Sequence, residues 1–374
     1  MMITSMVDLA VDLAALRHNY RQLRGLCGPG VKFMAVVKAD AYGHGLLPVA
    51  RVLAQEGADY LGVGSLAEGL VLRQAGLDLP VLLLLGILPE EAEAAVAANL
   101  EVALFRHDVA QALAAAALTQ GKKAGVHLKV DTGMGRLGLA PEEILPFLEG
   151  LRAYPQLEVL GLISHLAVAD QEDKSYTLRQ LEQFNGLLRA ARDRGWDLPL
   201  SHIANSAALW EMPEAHCALV RPGLMLYGSP PSPGRLPPVD LQPMMSLTTR
   251  VLQVKRLPPG ESISYGRTYT TPAWCDLAVL PVGYANGYSR LLSNRGEALI
   301  RGSRAPIRGR VCMNLTMVEV THLPEVLVGE PVTLLGPDGD DRLSGDELAG
   351  WADTISYEIY LALGNANPRR YLGE

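Results

Sequence analysis

Lys38 ends an apolar run, AVV at 35–37, and is followed at once by Tyr42, Gly43, His44 and Gly45. An amine at the end of a buried strand needs a partner, a route to water or a chemical task. Taken alone, it reads as a lysine whose stem lies along the apolar run while its head reaches water. Other residues carry related potential: Arg136 in KVDTGMGRLG (129–138), His165 after VLGLIS, Asn205 and Ser206 after LSHIA, and Arg221, Pro222 and Gly223 in ALVRPG. A lysine beside an arginine is pushed toward its neutral, nucleophilic form. A serine hydroxyl with backbone N–H groups near a glycine makes a phosphate cradle. An amine nucleophile beside such a cradle suits pyridoxal phosphate, which offers an aldehyde for a Schiff base and a phosphate to hold. Singly, Arg221 reads as well as a rim salt bridge and Ser206 as a helix cap. Neither of those readings accounts for the lysine.

These residues share a position relative to the elements that carry them. Eight apolar runs, at 32–37, 60–64, 80–85, 101–105, 125–130, 159–164, 200–204 and 218–223, alternate with helical patterns such as 90–100 and 178–195. A further helical stretch, DLAALRHNYRQLRGL, precedes the first run. Near-continuous apolar strands separated by helices indicate a parallel sheet. Eight units over roughly 220 residues match a closed (β/α)8 barrel, whose chemistry lies at the C-terminal ends of its strands. No GxGxxG follows the first run, so an open dinucleotide-binding sheet is the weaker reading. Closure makes the eighth strand the neighbour of the first and brings Arg221 beside Lys38. A proline-rich stretch at 228–243 then reads as a linker, and the remainder as short strands with helical character regained near the end. The expected architecture is α/β: a (β/α)8 barrel over 1–240 and a mainly-β domain over 241–374.

Composition narrows the class. Apolar residues make up 49% and charged residues 20% of 374, a globular balance. A net charge of −7 with mixed signs argues against nucleic acid or an anionic membrane as the main partner. The four cysteines are far apart, which suits reduced thiols and neither a disulfide framework nor a zinc site. The first residues lack a basic n-region, and no run is long enough to span a bilayer, which points to the cytoplasm.

The chain resembles the bacterial alanine racemase family over nearly its whole length. The resemblance rests on AVVKADAYGHG (35–45), KVDTGMGRLG (129–138), HIANSAA (202–208) and VRPGLMLYG (220–228), with ISYGRTY (263–269), VGYANGY (282–288) and RVCMNLTMVEV (310–320) in the second domain. It implies a fold-type III pyridoxal-phosphate enzyme, a homodimer interconverting L- and D-alanine and supplying D-alanine for peptidoglycan. Lys38 would form the Schiff base and act as base or acid on one face of the substrate, and Tyr265 of the partner subunit on the other. Tyr42, Ser206, the backbone of Gly223 and Leu224, and Tyr357 from the partner would hold the phosphate. Arg136 would bond the cofactor's phenolic oxygen, and Met313 would help bind the substrate carboxylate. Arg221 would donate to the pyridine nitrogen, with His165 linking it to Tyr265. Lys129 would be a carbamate orienting Arg136, against the simpler Lys129–Asp131 ion pair.

Arginine at the pyridine nitrogen keeps its proton and leaves that nitrogen unprotonated, so the ring is a poorer electron sink. Reprotonation at the α-carbon then competes better with transamination, which suits a racemase. The chain departs from the family pattern at Asn286 and Asn314, where aspartate is usual, at Asp40, where asparagine is common, and in the tail EIYLALGNANPRRY. The alternatives are a broader-specificity amino-acid (serine) racemase, a decarboxylase, disfavoured by Arg221, and a non-catalytic pyridoxal-phosphate carrier, disfavoured by the second domain. His44 is assigned a structural part.

Overall fold

Continuous apolar strands need cover on both faces, and the chain meets that need by curling them into a ring. The computed structural model describes residues 6–232, 235 and 237–373, so the first five residues of the stretch read for a signal and part of the proline-rich linker lie outside the described residues. Six parallel strands run in sequence order: Lys32–Val36, Tyr60–Val63, Val81–Leu83, Glu101–Leu104, Ala124–Lys129 and Leu157–Ile163. Leu219–Val220 pairs in parallel with Lys32 and Phe33. The run at 200–204 fills the remaining gap with isolated bonds and no regular ladder. His202 N–H donates to Leu162 O at 2.9 Å, and Arg221 N–H donates to Ala204 O at 3.0 Å. Those bonds close the eight-stave barrel, with seven staves as strands and the seventh in order as an irregular segment.

Helices Leu13–Gly25, Leu46–Gln55, Leu66–Gln74, His107–Thr119, Ile144–Leu151 and Ser175–Asp193 cover the outside. Their starts follow local chemistry: Asp12 accepts from Ala14 N–H and Ala15 N–H, and Ser65 with Glu68 forms a reciprocal capping box. Under these helices lies one large buried cluster, from Val11 to Met244, and a smaller one joins Met34, Tyr60, Leu82, Ile163 and Leu219.

The second domain holds a sheet in the order Ser303–Pro306, Glu297–Ile300, Pro331–Asp338, Met245–Arg250, Val7–Asp12 and Arg369–Leu372. A three-stranded sheet, Gln253–Leu257, Cys275–Leu280 and Thr316–Glu319, lies apart from it. The expectation that the barrel domain takes in the chain from its first residue needs correction, because Val7–Asp12 pairs with Met245–Arg250 and Arg369–Leu372 and belongs to the second domain's sheet. The strand alternates too little over six residues to show its side of the boundary in sequence.

The end of the chain returns to the barrel. Helix Ser356–Ala366 docks on the turn after the first barrel strand so closely that a Cβ at Gly364 would lie 2.0 Å from Gly43 O. Only glycine permits that backbone approach.

Candidate active site

Beyond Val37 the chain makes one turn of left-handed backbone: Ala39, Asp40, Ala41 and Tyr42 have φ of 53°, 53°, 54° and 55°. Each such L-residue costs about 1–2 kcal/mol, so surrounding bonds must hold the turn. His44 Nδ1 bonds Ala41 O at 3.0 Å and Tyr42 O at 3.1 Å. Burial brings the His44 imidazole down to about 4, so it is neutral and donates from Nδ1. Asp40 takes Leu46 N–H on Oδ1 at 2.6 Å and pairs with Arg369 at 2.6 Å through Oδ2. The charge at position 40 is thus matched by an arginine of the second domain. Tyr42 packs its ring 4.8 Å from that of Tyr227 and 5.6 Å from that of Tyr357.

Tyr357 is where the sequence expectation needs its main correction. The resemblance implies that it comes from the partner, but helix Ser356–Ala366 sets it against Tyr42 of its own chain. The Gly43–Gly364 contact is the cause, because it admits the helix at that depth.

The phosphate residues converge. Ser206 opens the helix Ser206–Glu211, and its Oγ accepts from Gly223 N–H at 2.9 Å. Gly223 and Leu224 lead into a 3-10 turn, Leu224–Tyr227. A Cβ at Gly223 would lie 2.4 Å from Tyr42 Oη, so the glycine leaves that hydroxyl its place. Tyr42, Ser206 and Leu224 are buried, and Tyr357 is half-buried. Hydroxyls and backbone N–H groups without a carboxylate among them form a donor set that fits a phosphate.

Cations gather at the same mouth. Lys38 is half-buried, and its amine is held below the ordinary lysine value, by burial first and then by Arg136, with a smaller part from Arg221. Burial thus does more than the Arg221 neighbour expected from closure. Glu68 opposes the shift. Arg221 is buried; it donates to Ser164 O at 2.7 Å, Ile203 O at 3.2 Å and His202 Nδ1 at 2.7 Å. Desolvation lowers it to about 10, still cationic at neutral pH. His165 Nδ1 lies 3.4 Å from Arg221 Nη2, and burial with that charge keeps the imidazole well below its ordinary value and neutral.

Lys129 is buried, and desolvation, Arg221, Arg136 and Lys38 together bring its amine down to about 7. Among the described residues no ion pair joins it to Asp131. That carboxylate instead accepts from the N–H groups of Gly133, Met134, Gly135 and Arg136 and shapes the loop that carries exposed Arg136.

Tyr265 and Met313 stand apart from this cluster. Tyr265 opens a 3-10 turn after Ser262–Ile263 and is 73% exposed; Met313 is 56% exposed. Tyr265 also lines a groove of about 500 Å³ with Leu252, Leu257, Ile263 and Leu315. Asn286 serves its own loop: Oδ1 accepts from Gly283 N–H at 3.2 Å, and Asn367 Nδ2 donates to Asn286 O at 2.9 Å. Asn314 is exposed beside Met313. Sequence reasoning missed His202 as the partner of Arg221; the available signal was an ionisable residue inside the apolar run LSHIA.

Two family models cover most of the chain. The alanine racemase N-terminal domain matches residues 11–231 and the alanine racemase C-terminal domain matches 244–371. Among curated proteins, alanine racemases of Desulforamulus reducens and Geobacter sulfurreducens are each 46% identical. These alignments cover 97% of this chain and 98% of the first relative, and 97% of this chain and 96% of the second. Solved alanine racemases share the fold. That of Streptomyces coelicolor superposes with a TM-score of 0.92 at 37% identity over 98% of both chains. That of Bacillus anthracis, with bound L-Ala-P, gives 0.91 at 34% over 100% of this chain and 96% of its own.

Proposed function

The chain belongs to the alanine racemase family, and we propose from that premise that it racemises alanine with pyridoxal phosphate held at the barrel mouth. The observation that carries this reading is the convergence of a burial-lowered lysine, a buried arginine and a phosphate donor set on the strand ends of one barrel. Tyr42, Ser206, Tyr357 and the backbone of Gly223 and Leu224 hold the phosphate, and Arg136 takes the phenolic oxygen. When bound, pyridoxal phosphate supplies an electron sink that acidifies the substrate's α-C–H bond.

This chain's residues then divide the proton work. Lys38 Nζ, lowered by burial and by Arg136, takes or returns a proton at one face of the α-carbon. The opposite face needs a second acid–base group, and the Oη of Tyr265 of the partner subunit supplies it. Arg221 stays protonated and donates to the pyridine nitrogen, with neutral His165 beside it. That arrangement leaves the proton to return to the α-carbon and disfavours transamination. Met313 of the partner subunit helps seat the substrate carboxylate. Lys129 carries a carbamate whose charge is matched by Arg136 and Arg221.

Two copies of the chain share each site. Tyr265 and Met313 are solvent-exposed, and Tyr265 shares its groove with exposed Leu252 and Leu315. An apolar patch of this kind marks an interface, and it supports a homodimer in which each copy completes the other's site. Among the described residues no helix is long and apolar enough to cross a membrane. We place the enzyme in the cytoplasm, supplying D-alanine for peptidoglycan.

The test is racemisation measured over a panel of amino acids including alanine and serine, with Lys38→Ala as control. The reading expects alanine to be turned over fastest and Lys38→Ala to lose activity. Serine turned over faster than alanine would favour a broader racemase, and racemisation of nothing in the panel would sink the reading.

A further inference from the structure

Arg221 is one end of a longer polar string. Its Nη1 lies 2.7 Å from His202 Nδ1, and since a guanidinium only donates, that nitrogen carries no proton. The His202 proton is then on Nε2, which lies 3.2 Å from His127 Nδ1. His127 in turn holds its proton on Nε2, 2.9 Å from Glu101 Oε2. The direction is fixed from both ends, by a group that can only donate and a carboxylate that can only accept. Both imidazoles are fully buried. Burial and the Arg221 charge hold His202 well below its ordinary value, so it is neutral.

The string crosses the inside of the barrel. Arg221 follows Leu219–Val220 at the catalytic mouth, His202 lies in the irregular stave and His127 in Ala124–Lys129. Glu101 opens Glu101–Leu104 at the opposite rim, where its side chain is 17% exposed and Tyr60 Oη donates to Oε1 at 3.4 Å. An apolar filling of the same volume would be at least as stable as a buried polar string. A fully satisfied string, however, fixes orientation.

Resting on the racemase reading, we propose that Glu101 is a positioning residue for the reaction: through His127 and His202 its carboxylate fixes how the Arg221 guanidinium is held. Arg221 sets the acceptor face of His202 from one end, and Glu101 holds the Nε2 proton of His127 at the other. With Glu101 replaced by an apolar residue, that buried proton has no acceptor, so His127 is drawn to turn or exchange tautomers, and the His202 ring loses the partner that seats it against Arg221. Arg221 then keeps the Ser164 and Ile203 carbonyls and the long contact to His165 Nδ1, but its short bond to His202 is held by a ring that is no longer fixed. A looser arginine guards the pyridine nitrogen less well, and protonation there favours transamination, in which alanine's amino group passes to the cofactor and pyruvate leaves in equal amount.

Two measurements test this on wild type, Glu101→Leu and Glu101→Gln. The first is 15N NMR of histidine-labelled protein without cofactor. Wild type should show His127 and His202 protonated at Nε2, and Glu101→Leu should show His127 as a mixture of tautomers. The second is pyruvate formed per racemisation event in the loaded enzyme. Loosening one hydrogen bond to a charged group should raise the ratio about tenfold in Glu101→Leu. Glu101→Gln, which keeps an acceptor, should raise it less, and it serves alone if the leucine variant does not fold. A different tautomer in wild type, or a lowered turnover with an unchanged pyruvate ratio, would overturn the proposal. A wild type that racemises nothing strikes the functional reading instead, while the tautomer measurement still judges the string.

Discussion

Lys129 is a buried amine among three cations, Lys38, Arg136 and Arg221, with its amine lowered to about 7. A substantial fraction is therefore uncharged near neutral pH and able to add carbon dioxide. A carbamate there would turn a repulsive centre into an anion between arginines. Protein equilibrated with 13C-labelled carbon dioxide should show a carbamate carbon resonance that Lys129→Arg lacks. The same resonance in both proteins would remove the assignment. The shift also fixes a pH dependence. The folded-state value lies below the ordinary 10.5, so the unfolded chain binds more protons between pH 7 and pH 10.5. Stability therefore rises with pH across that window, and the penalty is full below it. In buffer free of carbon dioxide, wild type should gain stability relative to Lys129→Met as pH rises from about 7 to about 10. A difference that stays flat would mean the amine is not perturbed.

At the scale of elements, the left-handed turn at Ala39–Tyr42 and the helix Ser356–Ala366 that docks on it set the site. Gly364→Ala would place a Cβ against Gly43 O, a backbone atom that cannot yield cheaply. The expected cost is about 1–3 kcal/mol, read by denaturant unfolding, with weaker cofactor binding because Tyr357 shifts away from Tyr42. Unchanged stability and affinity would show that the helix docks more loosely than this. This turn also marks what the sequence could and could not reveal. The apolar runs announced the barrel, and the polar residues closing them announced its active end. His44 was legible as structural, but not as the clamp on Ala41 and Tyr42, because four successive positive φ angles in ADAY carry only one residue type that favours them. Tyr357 was legible as a phosphate ligand but not as this chain's own, since helix docking depends on a glycine contact 321 positions away in sequence. Val7–Asp12 escaped the second domain for the same reason: its partners are at the far end of the chain.

For the whole molecule, the proposed pairing of Lys38 with the exposed Tyr265 of the partner subunit predicts that sites are shared between copies. Lys38→Ala and Tyr265→Phe should each be inactive or nearly so alone, and mixing them should restore activity. Random pairing makes half of the dimers mixed, each with one intact site, so about a quarter of wild-type activity is expected. No recovery on mixing, with exchange of subunits verified, would place both groups in one chain's site or dismiss one of them. The central claim, proton transfer at opposite faces of one carbon, is tested most directly by hydrogen exchange at the alanine α-carbon in heavy water. Wild type should incorporate deuterium into both product enantiomers starting from either one, and Tyr265→Phe should lose exchange at one face far more than at the other. Equal loss from both faces, or racemisation without any solvent deuterium, would contradict the account.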